Sequence, residues 1–185
     1  MRGILAGTIV VVVTGCATRE PPPTTRGPVE DVVTITGADG TVGGEVRVTR
    51  DSYVASDVVA APIEAVWQAL PAAYSAVGLG LPRLDRTQGV AVLDRHRLSR
   101  RLGGERLSMY FDCGRGMAGP YADTYRIHLA VTTELRPAQG DTTRVLTRLD
   151  AQGESTSGTA NNVQCRSEGR LEALITEALR SAVGG

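Results

Sequence analysis

Two histidines, three cysteines and a dense run of arginines are the side chains in this 185-residue sequence with chemistry to offer. His96 and His128 titrate in the range a general base needs. Neither stands in a motif that sets it beside Ser, Cys or a carboxylate, so both read as ordinary sheet residues. The stretch Gly153-Glu154-Ser155-Thr156-Ser157-Gly158 is not a nucleophile elbow, which needs Gly two positions to either side of one Ser. The histidines also lack the close Cys or carboxylate spacing of a zinc motif. No catalytic residue, metal ligand or cofactor is assigned, and an enzyme is not expected.

The arginines are the densest charge feature. They run Arg95-His96-Arg97-Leu98-Ser99-Arg100-Arg101 and continue at Arg106. On a strand, Arg95, Arg97 and Arg101 would share one face. Such a ladder can grip a phosphate, a lipid headgroup or an acidic partner. The interleaved Leu98, Leu102 and Leu107 equally fit a half-buried strand with a solvated outer face. No stacking aromatics accompany the run, which argues against nucleic acid. All twenty basic residues are Arg, balanced by twenty acids, so no global field selects a partner. The absence of Lys, beside abundant Ala, Gly and Val, fits a GC-rich coding bias. Asp112 and Asp123 flank the Gly-rich stretch Gly114-Arg115-Gly116-Met117-Ala118-Gly119-Pro120, the preferred region for a partner contact or ligand gate.

Arg2, the apolar run Ile4 to Val13 and Val13-Thr14-Gly15-Cys16 together resemble a bacterial lipoprotein signal. The apolar run is too short to cross a bilayer at ~20 residues per span. The resemblance implies cleavage before Cys16 and lipidation of its thiol, giving a membrane anchor without a transmembrane helix. Ala17, in place of an Asp retention signal, implies the outer membrane with the protein facing the periplasm. Residues 1–15 are then the leader. Residues 16–30, with three consecutive prolines, are the lipidated Cys and a flexible tether. Residues 31–185 form a single periplasmic α+β domain. In an exported chain, Cys113 and Cys165 are most simply a disulfide.

Residue patterns outline the domain. Val32, Val33 and Ile35 face Val42, Val46 and Val48 across a hairpin turning at Asp39-Gly40. Tyr53 to Ala61 alternates as a further strand. Pro62 to about Val77 has helical spacing, with Pro71 expected to kink or end it. Strands are expected over Gly89–Leu98, Arg106–Cys113, Tyr121–Leu135 and Thr143–Ala151, followed by a polar loop or a weak edge strand over 153–162. In the third strand, Tyr125, Ile127, Leu129, Val131, Thr133 and Leu135 share one face. Leu171, Leu174, Ile175, Ala178, Leu179 and Ala182 make the stripe of a terminal helix over Ser167–Val183. Ser167 is its expected N-cap, Glu168 complements its dipole and Gly184 ends it.

The stretch Val58-Val59-Ala60-Ala61-Pro62-Ile63-Glu64-Ala65-Val66-Trp67-Gln68-Ala69-Leu70 resembles the opening of START-like, polyketide-cyclase-type domains. The resemblance spans residues 51–183. It implies a helix-grip fold, in which an antiparallel sheet curves around a long C-terminal helix. Lipid-anchored proteins of similar general architecture serve the outer-membrane β-barrel assembly machinery by binding partners. START-like domains often hold apolar molecules, and here Tyr125, Ile127, Leu129, Val131, Leu171, Ile175 and Leu179 would line such a cavity. The same residues serve equally as a solid core. The expected function is a non-catalytic scaffold or interaction domain contacting envelope proteins. The alternative is a carrier of lipid or another small apolar ligand.

Overall fold

A computed structural model describes the backbone of residues 24–36, 42–156 and 162–184, and side chains from residue 54 onward within those ranges. Its strands are β1 (Thr24–Thr36), β2 (Val42–Val59), β3 (Arg83–Asp85), β4 (Val90–Ser99), β5 (Arg101–Leu102), β6 (Glu105–Arg106), β7 (Phe111–Asp112), β8 (Arg115–Gly116), β9 (Gly119–Pro120), β10 (Arg126–Pro137), β11 (Thr143–Glu154) and β12 (Val163–Ser167). The helices are α1 (Ile63–Ala76), the single turn α2 (Tyr121–Thr124) and the C-terminal α3 (Arg170–Val183). The main sheet runs β1-β2-β11-β10-β4-β5-β6, with β12 on β11 and β3 on β4. Pairing among the described residues is antiparallel throughout, so the class is α+β.

Period-two alternation decides the faces. Ile127, Leu129, Val131, Thr133 and Leu135 of β10 are buried, while Arg126 and Arg136 are exposed. Thr143, Val145, Thr147, Leu149 and Ala151 of β11 point the same way inward. Helices α1 and α3 pack against each other and against these strands. The helical face supplies Val66, Trp67, Leu70 and Tyr74 from α1, and Leu171, Ile175 and Leu179 from α3. Burial of each large aliphatic side chain contributes about 1.5–3 kcal/mol. A hydroxyl chain runs through this apolar layer. Tyr74 Oη lies 2.8 Å from Thr133 Oγ1, which lies 3.3 Å from Thr147 Oγ1. Burial pushes the Tyr74 phenol up to about 12, so it stays neutral there.

Several local expectations change. The strand β1 begins at Thr24, so residues 24–30 are paired strand rather than tether. Extended polyproline and β geometries are close neighbours, and Thr24 to Glu30 find partners from Ala55 back to Thr49. The turn at Asp39-Gly40 lies outside the described residues, as do residues 1–23 and 157–161. What reads as two strands, Val42–Val48 and Tyr53–Ala61, is one continuous β2. Its first part pairs only with β1, and Val54–Val59 also pair with β11. Helix α1 runs through Pro71 without ending. Trp67 and Leu70 before the proline and Ala73 and Tyr74 after it are all buried, and that packing offsets the lost backbone hydrogen bond.

The stretch Arg106–Cys113 is not one strand. It breaks into the end of β6, a 3₁₀ turn over Leu107–Met109 and the short β7. Tyr121–Thr124 is helical rather than extended. Residues 163–167 form β12, and α3 starts three residues later than Ser167. Gly169 occupies the N-cap with φ 79°, a left-handed backbone that glycine adopts freely. Ser167 still serves the helix start: its hydroxyl accepts the Gly169 N–H at 3.1 Å. The acid of the first turn is Glu172, not Glu168. At the other end, Arg180 ties α3 to β2 through Asp57 at 2.5 Å and the Val58 carbonyl at 3.3 Å.

Candidate functional site

Cys113 and Cys165 form a disulfide that joins the segment after β7 to β12. The same junction carries backbone pairing, Arg166 to Asp112 and Ser167 to Phe111. Asp112 accepts the Gly114 N–H at 2.9 Å and pairs with Arg166 at 2.9 Å. Those two donors hold its carboxyl below the usual range.

From this clamp projects a two-stranded finger, β8–β9. Arg115 faces Pro120 and Gly116 faces Gly119, leaving Met117 and Ala118 at the tip. Tyr121 braces its root. The Tyr121 N–H donates to Gly114 O at 2.9 Å, and its ring stacks on Tyr125 with centroids 4.7 Å apart. A Cβ at Gly116 would stand 2.7 Å from Tyr121 Cε1, so glycine is what lets finger and ring meet. Asp123 accepts both the Ser108 N–H and the Ser108 hydroxyl at 2.9 Å, fixing α2 to the 3₁₀ turn. Met117 is fully solvent-exposed at the tip of this braced hairpin, and Met109 is half exposed.

Two clefts flank the finger. One, of about 370 Å³, is lined by Ser108, Phe111, Asp112, the disulfide, Arg115 and Glu168. The other, of about 270 Å³, has Arg100, Arg101 and Arg106 on one side, Ala118 and Pro120 of the finger on the other, and Asp123. A third cleft, of about 470 Å³, lies on the outer sheet face among Arg97, Arg126, His128, Gln152, Glu154 and Asn162. There His128 Nε2 lies 2.8 Å from Glu154 Oε2, and Arg126 approaches the same oxygen at 3.4 Å. The imidazole, more than the guanidinium, holds the Glu154 carboxyl low. His128 therefore has a carboxylate partner that its sequence surroundings do not signal. Residue 154 reaches it across strands. None of this cleft's described lining residues carries a hydroxyl or thiol nucleophile.

The structure separates the proposed arginine ladder. The register of β4 on β10 slips between Leu129, opposite His96, and Val131, opposite Leu93. Asp94 and Arg95 bulge there, with Arg95 at φ 53°. A tight turn at Arg100, φ 63°, then folds β5 back on β4. Arg97 consequently lines the outer-face cleft and Arg101 the finger cleft, while Arg95 lines neither. The arginines brought together are Arg100, Arg101 and Arg106.

The residues named as a ligand lining divide similarly. Ile127, Leu129, Val131, Leu171, Ile175 and Leu179 are all fully buried in one cluster. Tyr125 sits at the finger's root instead, because the strand begins one residue later. His96 faces inward beside Leu93 and Gly80, and burial lowers its pKa. Cys16 lies outside the described residues. Among the described residues no three His, Cys, Asp or Glu side chains converge as a metal site. No helix among them is long and apolar enough to cross a membrane.

Sequence reasoning passed over Glu172. Its side chain is wholly buried, Ser167 Oγ donates to Oε1 at 2.7 Å, and Oε2 has no hydrogen-bond partner. Burial pushes this carboxyl up to about 7. A position next to Leu171 and one turn before Ile175 is the only signal of it in the sequence.

No protein-family model matches the chain, and no curated protein or solved structure matches it either.

Proposed function

We propose that this chain is a lipid-anchored lipoprotein of the outer membrane that faces the periplasm. Its α+β domain, a START-like helix-grip in architecture, acts by contact with other envelope components rather than by catalysis. The observation that carries this reading is the finger. A fully exposed Met117 stands on a hairpin fixed by a disulfide, a tyrosine stack and Asp123. An exposed thioether on a rigid support suits an adaptable apolar contact. Pre-organisation of that kind lowers the ordering cost of association. The signal-like segment ending at Cys16 supplies the anchor.

The carrier alternative needs Ile127, Leu129, Val131, Leu171, Ile175 and Leu179 to face a ligand. Their complete burial in one cluster supports a packed core instead. Replacing Met117 with a photo-crosslinking amino acid in cells tests the contact reading. A discrete covalent adduct is expected there and none at the exposed Leu81, which serves as control. No adduct at position 117 refutes it. The anchor is tested separately: Cys16→Ser is expected to abolish acylation and membrane retention, and normal acylation overturns it. Native mass spectrometry is expected to return the bare polypeptide mass. A reproducible extra mass lost on denaturation would replace the contact reading with the carrier.

A further inference from the structure

We infer that the cleft between the finger and the β5–β6 hairpin is a binding site for a phosphate-bearing group. Arg100, Arg101 and Arg106 line it, and the facing wall is Ala118 and Pro120. Among the described residues the only acid in the lining is Asp123, and Ser108 occupies both of its oxygens. Among the described residues, no carboxylate pairs with any of the three arginines. Arg101 donates to the Gly104 carbonyl at 2.6 Å, which fixes its stem across the hairpin and leaves other N–H groups of its guanidinium to bind. The cleft thus gathers three guanidinium groups against one committed carboxylate. A surplus of two positive charges matches a phosphate monoester, which carries about −1.5 to −2 at neutral pH, better than one carboxylate. Guanidinium forks also suit phosphate oxygens bidentately. A volume of about 270 Å³ leaves room for the group esterified to the phosphate.

A second observation points to the same place. Arg100 holds a left-handed backbone, φ 63°, in a hairpin whose next two left-handed positions are glycines, Gly103 and Gly104. Glycine at position 100 would relieve that strain. The arginine there is a cost to the turn and a gain to the cleft, a combination expected of a binding residue.

The conformational freedom of glycine makes Arg100→Gly a variant that keeps the fold. The protein for the test is the chain from Cys16 to Gly185 with Cys16→Ser, which retains every described residue. One arm titrates inorganic phosphate at constant ionic strength and follows the arginine side-chain N–H signals by NMR. The other floats the protein with phosphatidylcholine vesicles with and without phosphatidic acid. Saturable binding below about 10 mM is expected in at least one arm, weakened at least about tenfold by Arg100→Gly and by Arg106→Gln. The melting temperature of Arg100→Gly should be equal or higher. Binding in the phosphate arm assigns a soluble phosphate, and binding only to phosphatidic acid assigns a lipid headgroup. No saturable binding in either arm overturns the proposal. So does binding that both variants retain. Neither outcome bears on the finger as a contact surface, which the adduct at position 117 tests alone.

Discussion

Glu172→Gln should make the protein more stable, and only at higher pH. The carboxyl is buried at the start of α3, with one oxygen served by Ser167 and the other by nothing. Its folded pKa is about 7, raised from the ordinary 4.5 of an exposed group. A raised acid favours the folded state below pH 4.5, where both states are protonated, and loses that favour as pH rises through about 7. Above that point the native protein keeps an anion in an apolar layer. The interval from 4.5 to about 7, at ~1.4 kcal/mol per pH unit, amounts to about 3 kcal/mol. A glutamine keeps an oxygen for the Ser167 hydroxyl and never charges. Urea unfolding of both proteins at pH 4.5 and pH 8.5 measures the difference. The variant should gain about 3 kcal/mol on the parent between those pH values, or about 6–12 °C in melting temperature for a domain of this size. Asp112, Glu154 and other carboxyls held low act in the opposite sense, but both proteins share them and they cancel. A stability difference equal at the two pH values would refute the assignment of a neutral, desolvated acid at Glu172.

Three further perturbations probe the framework. Replacing Cys113 and Cys165 by Ala should cost about 4 kcal/mol, from the 52-residue separation they bridge; an unchanged urea midpoint, or two freely alkylated thiols in native exported protein, would sink the bridge. Thr133→Val keeps the shape but strands the Tyr74 hydroxyl in the core, costing about 1–3 kcal/mol; in the accompanying Tyr74→Phe background that cost should largely vanish, and a penalty independent of Tyr74 would show the hydroxyl chain to be incidental. Gly116→Ala drives a Cβ into the Tyr121 ring and should cost about 1–3 kcal/mol. Its effect should be sharpest in hydrogen exchange at the finger, and protection left intact there would mean the ring does not brace it.

The sheet was legible where burial is one-sided. Along β10 every second residue from Ile127 to Leu135 is buried, and the apolar pattern alone marks that face. The α3 stripe of Leu171, Ile175 and Leu179 was legible for the same reason at a different period. The pairing of Cys113 with Cys165 was legible because, beside Cys16, the sequence has only these two cysteines. Legibility ends where residues far apart in sequence decide the outcome. Helix propensity ends α1 at Pro71, but the buried Ala73 and Tyr74 beyond it carry it on. Nothing local tells that Arg97 and Arg101 part company, since a bulge opposite Ala130 and a turn at Arg100 do that. The finger cleft needed two hairpins to be placed side by side: its arginines and its Gly-rich half each stood out in the sequence, but nothing local says that they meet. Glu172 looked like any first-turn acid because its burial comes from the elements packed around α3.

The bulge at Asp94 and Arg95 gives β4 a phase. Before it the odd positions Ala91 and Leu93 point inward, and after it the even positions His96 and Leu98 do. The strand is thus two half-waves joined by a slip of half a period. Removing Arg95 would heal the slip: Asp94 alone would face Ala130, and His96 and Leu98 would stay inward with Arg97 outward. Removing Asp94 and Arg95 together would set His96 directly after Leu93 and invert everything downstream, turning Leu98 to water and Arg97 to the core. Length changes at this point are therefore governed by parity rather than by size, and an alignment of any related sequence should show gaps there of a single residue.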